Sequence, residues 1–199
     1  MRKTLPLFLL LAGCSPDVPH LDNPGSTIVC LGDSITAGVG VGEGQAYPDL
    51  LARELRADVV NAGVSGNTAE DGLARVDEVL EEDPWLVIVE LGGNDILRRV
   101  SPERTERALR GILDRLLAAR VVPVLVEVEA PLAASYGKVF ERIEEDYEIP
   151  IVDGVLGEIL ADPDLKSDPI HPNARGQKIL AEALIEELEP LLEARRKLR

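Results

Sequence analysis

IVCLGDSITAGVG, residues 28–40, joins a short apolar run to a polar turn. The run ends at Gly32, and Asp33 and Ser34 follow at once. A turn requires a glycine there but has no need of a serine hydroxyl. We therefore interpret Ser34 as a candidate nucleophile at a strand-to-helix turn, where the start of a helix favours negative charge. The alternative is that Ser34 only caps the next helix and that Asp33 only fixes the turn.

The rest of the chain alternates apolar strand-like runs with amphipathic helical patterns. The predicted strands are Thr27–Leu31, Asp58–Asn61, Trp85–Leu91, Val121–Val128 and Ile149–Val152. The predicted helices are Tyr47–Arg56, Thr68–Glu81, Pro102–Arg120, Gly137–Tyr147 and Pro172 to at least Leu188, with Ser101 as the cap of the third. This alternation, with runs as apolar as WLVIVEL, predicts an α/β fold with a parallel sheet between layers of helices. In such sheets the active residues gather at the carboxyl ends of the strands.

Three further polar stretches are expected at that same edge of the sheet. NAGVSGNT (61–68) and LGGNDI (91–96) follow the second and third strands, and SDPIHPN (167–173) precedes the last helix. Loops after strands are polar in any case, so the position alone proves little. The particular residues in these stretches are more informative.

His171 is the candidate general base, because a nucleophilic serine needs one and His20 lies outside the predicted domain. Asp168 precedes it by three residues, with Pro169 stiffening the bend, so that one turn holds a carboxylate against the imidazole. Without a catalytic histidine, Asp168 would be interpreted as an ordinary turn-capping aspartate.

Acyl transfer also needs donors for a developing oxyanion. Candidates are the backbone N–H of Ser34, the backbone N–H of Gly66 and the side-chain amide of Asn94. Taken separately, Gly66 could be a turn glycine and Asn94 could form an Asx turn.

Together, GDSI, NAGVSGNT, GGND and DPIHPN resemble, in order, the sequence blocks of the SGNH or GDSL-type hydrolase family, with Ile35 where leucine is commoner. The resemblance spans roughly residues 26–188. It implies a flavodoxin-like three-layer α/β/α sandwich with a five-stranded parallel sheet. It also implies hydrolysis of carboxylic esters or thioesters through an acyl-serine, with Ser34, Asp168 and His171 as the catalytic triad and no metal or cofactor.

Within that family, the chain is most similar to the bacterial multifunctional thioesterase, lysophospholipase and arylesterase branch. This similarity implies a small-molecule acyl ester or lipid as substrate. It also implies acyl-binding roles for Ile96, Leu97, Leu132 and Tyr136, although such apolar loop residues could equally pack against their neighbours. Two alternatives are a carbohydrate O-deacetylase of the same family and a non-catalytic binding module on the cell surface. The aromatic content of 3% provides few stacking platforms for sugars and favours acyl substrates.

The amino terminus, MRKTLPLFLLLAGCSPD, resembles a lipoprotein signal peptide. Two basic residues precede an apolar stretch too short to span a bilayer, and LAGC resembles a bacterial lipobox. We therefore expect residues 1–13 to be a signal peptide, Cys14 to be lipidated, residues 14–25 to form a tether and residues 26–199 to form the hydrolase domain. The enzyme would then be lipid-anchored in the cell envelope, on the periplasmic or extracellular side. The alternatives are an ordinary cleaved signal and an amino terminus of a cytosolic protein that is hydrophobic by chance.

Composition excludes several classes of function. The chain has 199 residues and a formal net charge of −15, which disfavours binding to nucleic acid. Two cysteines and two histidines, one of each near the amino terminus, argue against a zinc site and a disulfide framework. Cys30 lies in the first apolar run and is expected to be a small core residue. We expect a monomer.

Overall fold

The computed structural model describes residues 18–128 and 134–199. The strands are β1 Thr27–Gly32, β2 Val59–Gly63, β3 Pro84–Glu90, β4 Val122–Val126 and β5 Ile151–Val152. The helices are α1 Ser34–Ala37, α2 Tyr47–Leu55, α3 Ala69–Ala74, α4 Val76–Leu80, α5 Gly93–Arg98, α6 Pro102–Ala118, α7 Ala134–Asp146, α8 Val155–Ala161 and α9 Ala174–Leu198. A 3-10 turn occupies Pro163–Leu165.

The five strands form one parallel sheet in the order β2-β1-β3-β4-β5. This is the flavodoxin-like order, and it confirms the predicted fold class. The strand order reverses at β1, whose two neighbours are β2 and β3. Strands β1, β3 and β4 are buried along their whole lengths, as continuous apolar runs covered on both faces should be.

The helices pack in two groups. Helix α2 packs against α9, whereas α6 packs against α3, α4 and α7. Right-handed crossovers from β1 to β2 and from β2 to β3 run in opposite directions across the sheet, so they place the two groups on opposite faces. The result is the predicted three-layer sandwich.

The local differences from the predicted elements have physical causes. The single helix predicted over Thr68–Glu81 is two helices, α3 and α4, with Arg75 at their junction. The Arg75 guanidinium donates to Asn67 Oδ1 at 2.8 Å and to the Gly32 carbonyl at 2.9 Å, which fastens the junction to the ends of the strands. Ser101 does stand at the N-cap of α6, but its carbonyl rather than its side chain accepts the first hydrogen bonds of the helix.

The described part of the expected tether, residues 18–25, lies against the domain instead of extending from it. Leu21 and Asn23 are buried, and Arg195 near the end of α9 donates to the carbonyls of Leu21, Asn23 and Gly25. The apolar side chain of Leu21 and these three carbonyls explain why the segment packs. The same guanidinium lies 4.4 Å from the centre of the Trp85 ring, at the start of β3. The segment is thus fixed at the amino ends of the strands. Within the described ranges, no helix is long and apolar enough to cross a membrane.

Candidate active site

The turn after β1 presents Ser34 because Gly32 and Asp33 shape it. A Cβ on Gly32 would lie 1.9 Å from Thr36 Oγ1, so the first turn of α1 can fold back only over a glycine. Asp33 is the N-cap of α1, and its Oδ1 accepts a hydrogen bond from the Ile35 N–H at 3.0 Å. Asp33 therefore performs the capping that was the alternative role for Ser34. The Ser34 hydroxyl remains available for another partner.

That partner is His171. The Ser34 Oγ lies 3.0 Å from His171 Nε2, and His171 Nδ1 lies 2.7 Å from Asp168 Oδ2. The other carboxylate oxygen, Asp168 Oδ1, accepts the backbone N–H groups of Ile170 and His171, both at 2.9 Å. The hydrogen bond from His171 is the main reason why the pKa of Asp168 lies below its usual value. An ionised Asp168 favours the tautomer with a proton on Nδ1, which leaves Nε2 free to accept the serine proton.

The loop that carries His171 is closed on itself. The Ser167 N–H donates to the His171 carbonyl at 3.0 Å, and Lys166 pairs with Pro172 in an isolated bridge. Asn173 then caps α9 through its Oδ1, which accepts the N–H groups of Arg175 and Gly176. The helix predicted from Pro172 begins two residues later, at Ala174.

The two loops expected to supply oxyanion donors also meet at this edge. Gly66 has a φ of +85°, a backbone conformation that residues with a side chain rarely adopt. Its carbonyl accepts from the Arg98 guanidinium at 2.7 Å. The Asn94 amide donates to Asp33 Oδ2 at 2.8 Å and to the Asn67 carbonyl at 3.0 Å. The structure therefore brings Asn94 and the loop that contains Gly66 into one hydrogen-bonded arrangement with the turn of Ser34.

An apolar cavity of about 220 Å³ opens beside Ser34. Ile96 and Leu97, two of the residues expected to bind an acyl group, line it. Tyr136 lies apart from the cavity lining, because it is buried and its hydroxyl donates to the carbonyls of Asp95 and Val100. Leu132, the remaining residue of the predicted acyl site, lies outside the described residues, as does Cys14.

Sequence reasoning missed several residues around the site. Leu160, Pro169 and Ile170 line the cavity, and nothing in the local sequence marks them except the proximity of the last two to His171. Glu90 is fully buried at the end of β3. A signal for Glu90 was present, since it is the one charged residue in the apolar run WLVIVEL.

The chain is similar to known proteins over most of its length. The model of the GDSL-like lipase/acylhydrolase family matches residues 30–179. The chain is 35% identical to thioesterase 1/protease 1/lysophospholipase L1 of Escherichia coli over 178 residues, covering 83% of this chain and 85% of the relative. It is 33% identical to the esterase TesA of Pseudomonas aeruginosa, covering 92% and 98%. A crystal structure of TesA superposes with a TM-score of 0.78 at 30% identity, covering 83% of this chain and 99% of that one.

The fold and the matches define a hydrolase of carboxylic esters built on a flavodoxin-like three-layer sandwich. The chain belongs to the GDSL-like lipase/acylhydrolase family, and it is a serine esterase or thioesterase. Within the described ranges, no group of three metal-ligating side chains comes together.

Proposed function

We propose that Ser34, His171 and Asp168 carry out ester hydrolysis as a triad. The observation that supports this most strongly is the hydrogen-bonded series from Ser34 Oγ to His171 Nε2, at 3.0 Å, and from His171 Nδ1 to Asp168 Oδ2, at 2.7 Å. Ser34 Oγ attacks the acyl carbonyl carbon while His171 Nε2 takes the hydroxyl proton. The tetrahedral intermediate collapses and expels the alcohol or thiol, which receives that proton from His171. A water molecule, deprotonated by His171, then hydrolyses the acyl-serine and releases the carboxylic acid.

In this mechanism Asn94 and the backbone N–H groups of Ser34 and Gly66 bind the oxyanion. Both hydrogens of the Asn94 amide have protein acceptors, namely Asp33 Oδ2 and the Asn67 carbonyl. These contacts fix the direction of the amide before substrate arrives. The developing negative charge then shares one of the two hydrogens, so little reorganisation is needed as the charge appears.

The substrate we propose is an acyl ester or thioester with an apolar acyl group, such as an aryl ester, a short acyl ester or a lysophospholipid. The cavity lining supports this, since Ile35, Ile96, Leu97, Leu160 and Ile170 are all apolar. The names of the relatives, a thioesterase and lysophospholipase in one case and an esterase in another, point in the same direction.

A substrate panel tests this proposal. Purified enzyme and its Ser34→Ala variant are assayed on p-nitrophenyl esters of increasing chain length, lysophospholipid, acyl-CoA and acetyl-xylan. We expect turnover of the acyl esters that the variant lacks. Preferred turnover of acetyl-xylan would replace the acyl-ester proposal with the deacetylase alternative, and no turnover of any ester would favour the binding module.

We further propose that the enzyme is a monomer, lipidated at Cys14 and held in the cell envelope. Light scattering coupled to size exclusion tests the oligomeric state of the enzyme made without residues 1–13. For the anchor, we expect Cys14→Ser to leave the membrane fraction while keeping esterase activity. A wild-type protein that is wholly soluble and carries no lipid on Cys14 by mass spectrometry would contradict this.

The position of residues 18–25 in the fold determines how an anchor at Cys14 would orient the catalytic edge relative to the membrane. Residues 18–25 are fixed at the amino ends of the strands, whereas Ser34 lies at the carboxyl ends. Helix α9 runs from one end to the other, and its 25 residues are about 37 Å long. Four residue steps from Cys14 to Val18 reach at most about 14 Å. Such an anchor would turn the catalytic edge away from its own membrane, so substrates would arrive from the aqueous side.

A further inference from the structure

Glu90 is the last residue of β3. Its side chain is completely buried. Its Oε2 accepts the Thr36 hydroxyl at 2.8 Å, and that hydroxyl lies 2.8 Å from the Tyr47 hydroxyl. Its Oε1 is the one buried side-chain nitrogen or oxygen atom, among the described residues, that lacks a conventional hydrogen-bond partner. An ionised carboxylate with an unpaired oxygen in such a place would be costly, so the geometry calls for a proton there.

A second carboxyl group adjoins it. Asp33 is also buried, and its carboxyl interacts directly with that of Glu90. Two acidic side chains in contact and removed from water cannot both be ionised at modest cost. A proton on one of them converts a repulsive contact into a hydrogen bond. The unpaired Oε1 of Glu90 then becomes a donor.

The surroundings decide which carboxyl carries the proton. Asp33 accepts two N–H groups, from the Ile35 backbone and from Asn94, and such bonds stabilise the anion. Glu90 accepts the Thr36 hydroxyl at 2.8 Å, and the backbone N–H groups of Asp33 and Thr36 oppose the rise of its pKa less than burial drives it. In agreement, burial first and the charge of Asp33 second raise the pKa of Glu90 well above its usual value, while burial raises the pKa of Asp33 and its N–H bonds oppose that rise.

We propose that Glu90 is a positioning residue for the oxyanion site: its protonated carboxyl donates to Asp33, and the Asp33 anion holds the Asn94 amide beside Ser34. The proposal rests on the proposed role of Asn94 in binding the oxyanion. Glu90 itself touches no reacting atom. It acts through Asp33, which in turn acts through Asn94.

Other titratable groups face this pair from the neighbouring elements. Cys30 on β1 and Tyr47 on α2 are buried, and burial raises the pKa of each, so that both stay neutral through the working range. His171 approaches from the loop before α9, and its positive charge, when present, favours the Asp33 anion. The imidazolium that forms during acyl transfer would therefore reinforce the arrangement.

The first experiment compares two substitutions of Glu90 by their kcat and KM. Glu90→Gln keeps a neutral donor toward Asp33 and an acceptor for Thr36, so kcat should stay within about threefold of wild type. Glu90→Leu has a similar size but no donor, so kcat should fall about tenfold with little change in KM, a smaller loss than removal of an oxyanion donor. Equal loss in both variants would overturn the proposal.

The second experiment detects the proton directly and does not depend on the folding of Glu90→Leu. Infrared spectroscopy of the wild-type enzyme at neutral pH should show the C=O stretch of a buried carboxylic acid, and Glu90→Gln should lack it. A wild-type spectrum without that band would overturn the proposal.

A double-mutant cycle separates positioning from general structural damage. Asp33→Asn removes the charge through which Glu90 acts, so adding Glu90→Leu to it should cost little more kcat than Asp33→Asn alone. Independent, additive losses would contradict the proposed route through Asp33. Asn94→Ala, measured alongside, distinguishes failure of the Glu90 inference from failure of the proposed oxyanion role of Asn94. If Asn94→Ala lowers kcat while Glu90→Leu does not, only the inference on Glu90 fails. If Asn94→Ala has no effect, the proposed oxyanion role fails and the inference fails with it.

Discussion

The two ends of the parallel sheet are held together in different ways. At the amino ends, one guanidinium, that of Arg195, donates to three carbonyls of the segment 18–25 and stacks on Trp85. At the carboxyl ends, the side chains of Ser34, His171 and Asp168 are joined in series by hydrogen bonds, beside a buried pair of carboxyl groups. The first arrangement satisfies backbone groups and stabilises the fold. The second keeps buried carboxyl groups, which are costly to remove from water, next to the side chains proposed to carry out ester hydrolysis.

The largest effect should come from removing the nucleophile or its base. Ser34→Ala and His171→Ala should each lower kcat by about 10⁶-fold, and the double variant should lose little more, because the residues act as a unit. Steady-state turnover of a p-nitrophenyl ester checks this, with circular dichroism to show that the variants are folded. Multiplicative losses in the double variant would mean that the two residues act independently.

Removing an oxyanion donor should cost less. Asn94→Ala should lower kcat by about 10²–10³-fold, or roughly 3–4 kcal/mol, with a smaller change in KM, because the amide meets the oxygen most strongly when it is charged. The same assay measures both constants. A rise in KM at constant kcat would instead assign Asn94 to ground-state binding.

At the opposite end of the sheet the effect should be on stability alone. Arg195→Met should lower the free energy of unfolding by about 2–3 kcal/mol, because it removes three charge-assisted hydrogen bonds and the contact with Trp85 while keeping an apolar stem. Urea denaturation measures this change. The matched control is Arg196→Met, since Arg196 is exposed on the same helix. A loss of kcat in folded Arg195→Met would contradict the separation of the two ends.

At the catalytic end, removal of a buried titratable group should change stability in a way that depends on pH. The unfolded chain releases the Glu90 proton near pH 4.3, whereas the folded chain keeps it to higher pH because the pKa of Glu90 is raised. Between those pKa values the folded state binds the extra proton, so wild-type stability falls as pH rises, by at most about 1.4 kcal/mol per pH unit. Glu90→Gln does not titrate, and its advantage in Tm should grow from acidic to neutral pH. A constant difference in Tm would show that Glu90 is ionised in the folded state.

The sequence predicted the elements whose signals are local. Apolar runs located the strands to within a few residues, and the alternation with helical patterns predicted a parallel sheet. Because the carboxyl ends of parallel strands lie at one edge of a sheet, the sequence also predicted that Ser34, Asn94 and His171 lie at that edge. The distance of 3.0 Å between Ser34 Oγ and His171 Nε2 agrees with that placement, across 137 positions of the chain.

What the sequence could not predict depends on contacts between distant segments. The break between α3 and α4 accompanies the bonds that the Arg75 side chain makes with Gly32 and Asn67, and no helix-breaking residue marks it. Residues 18–25 have a tether-like composition, yet they pack because Arg195, 170 positions from Gly25, satisfies their carbonyls. The sequence shows Glu90 as an acidic residue in an apolar strand, but only the folded sheet brings the Asp33 carboxyl against it.

The central claim is that Ser34 is a nucleophile activated by His171. Labelling with a fluorophosphonate, followed by mass spectrometry of the modified peptide, tests it most directly. The account predicts that the probe modifies Ser34 in the wild-type enzyme, reacts far more slowly with His171→Ala and leaves Ser34→Ala unlabelled. Modification of a different serine, or labelling of Ser34 at the same rate when His171 is absent, would contradict it.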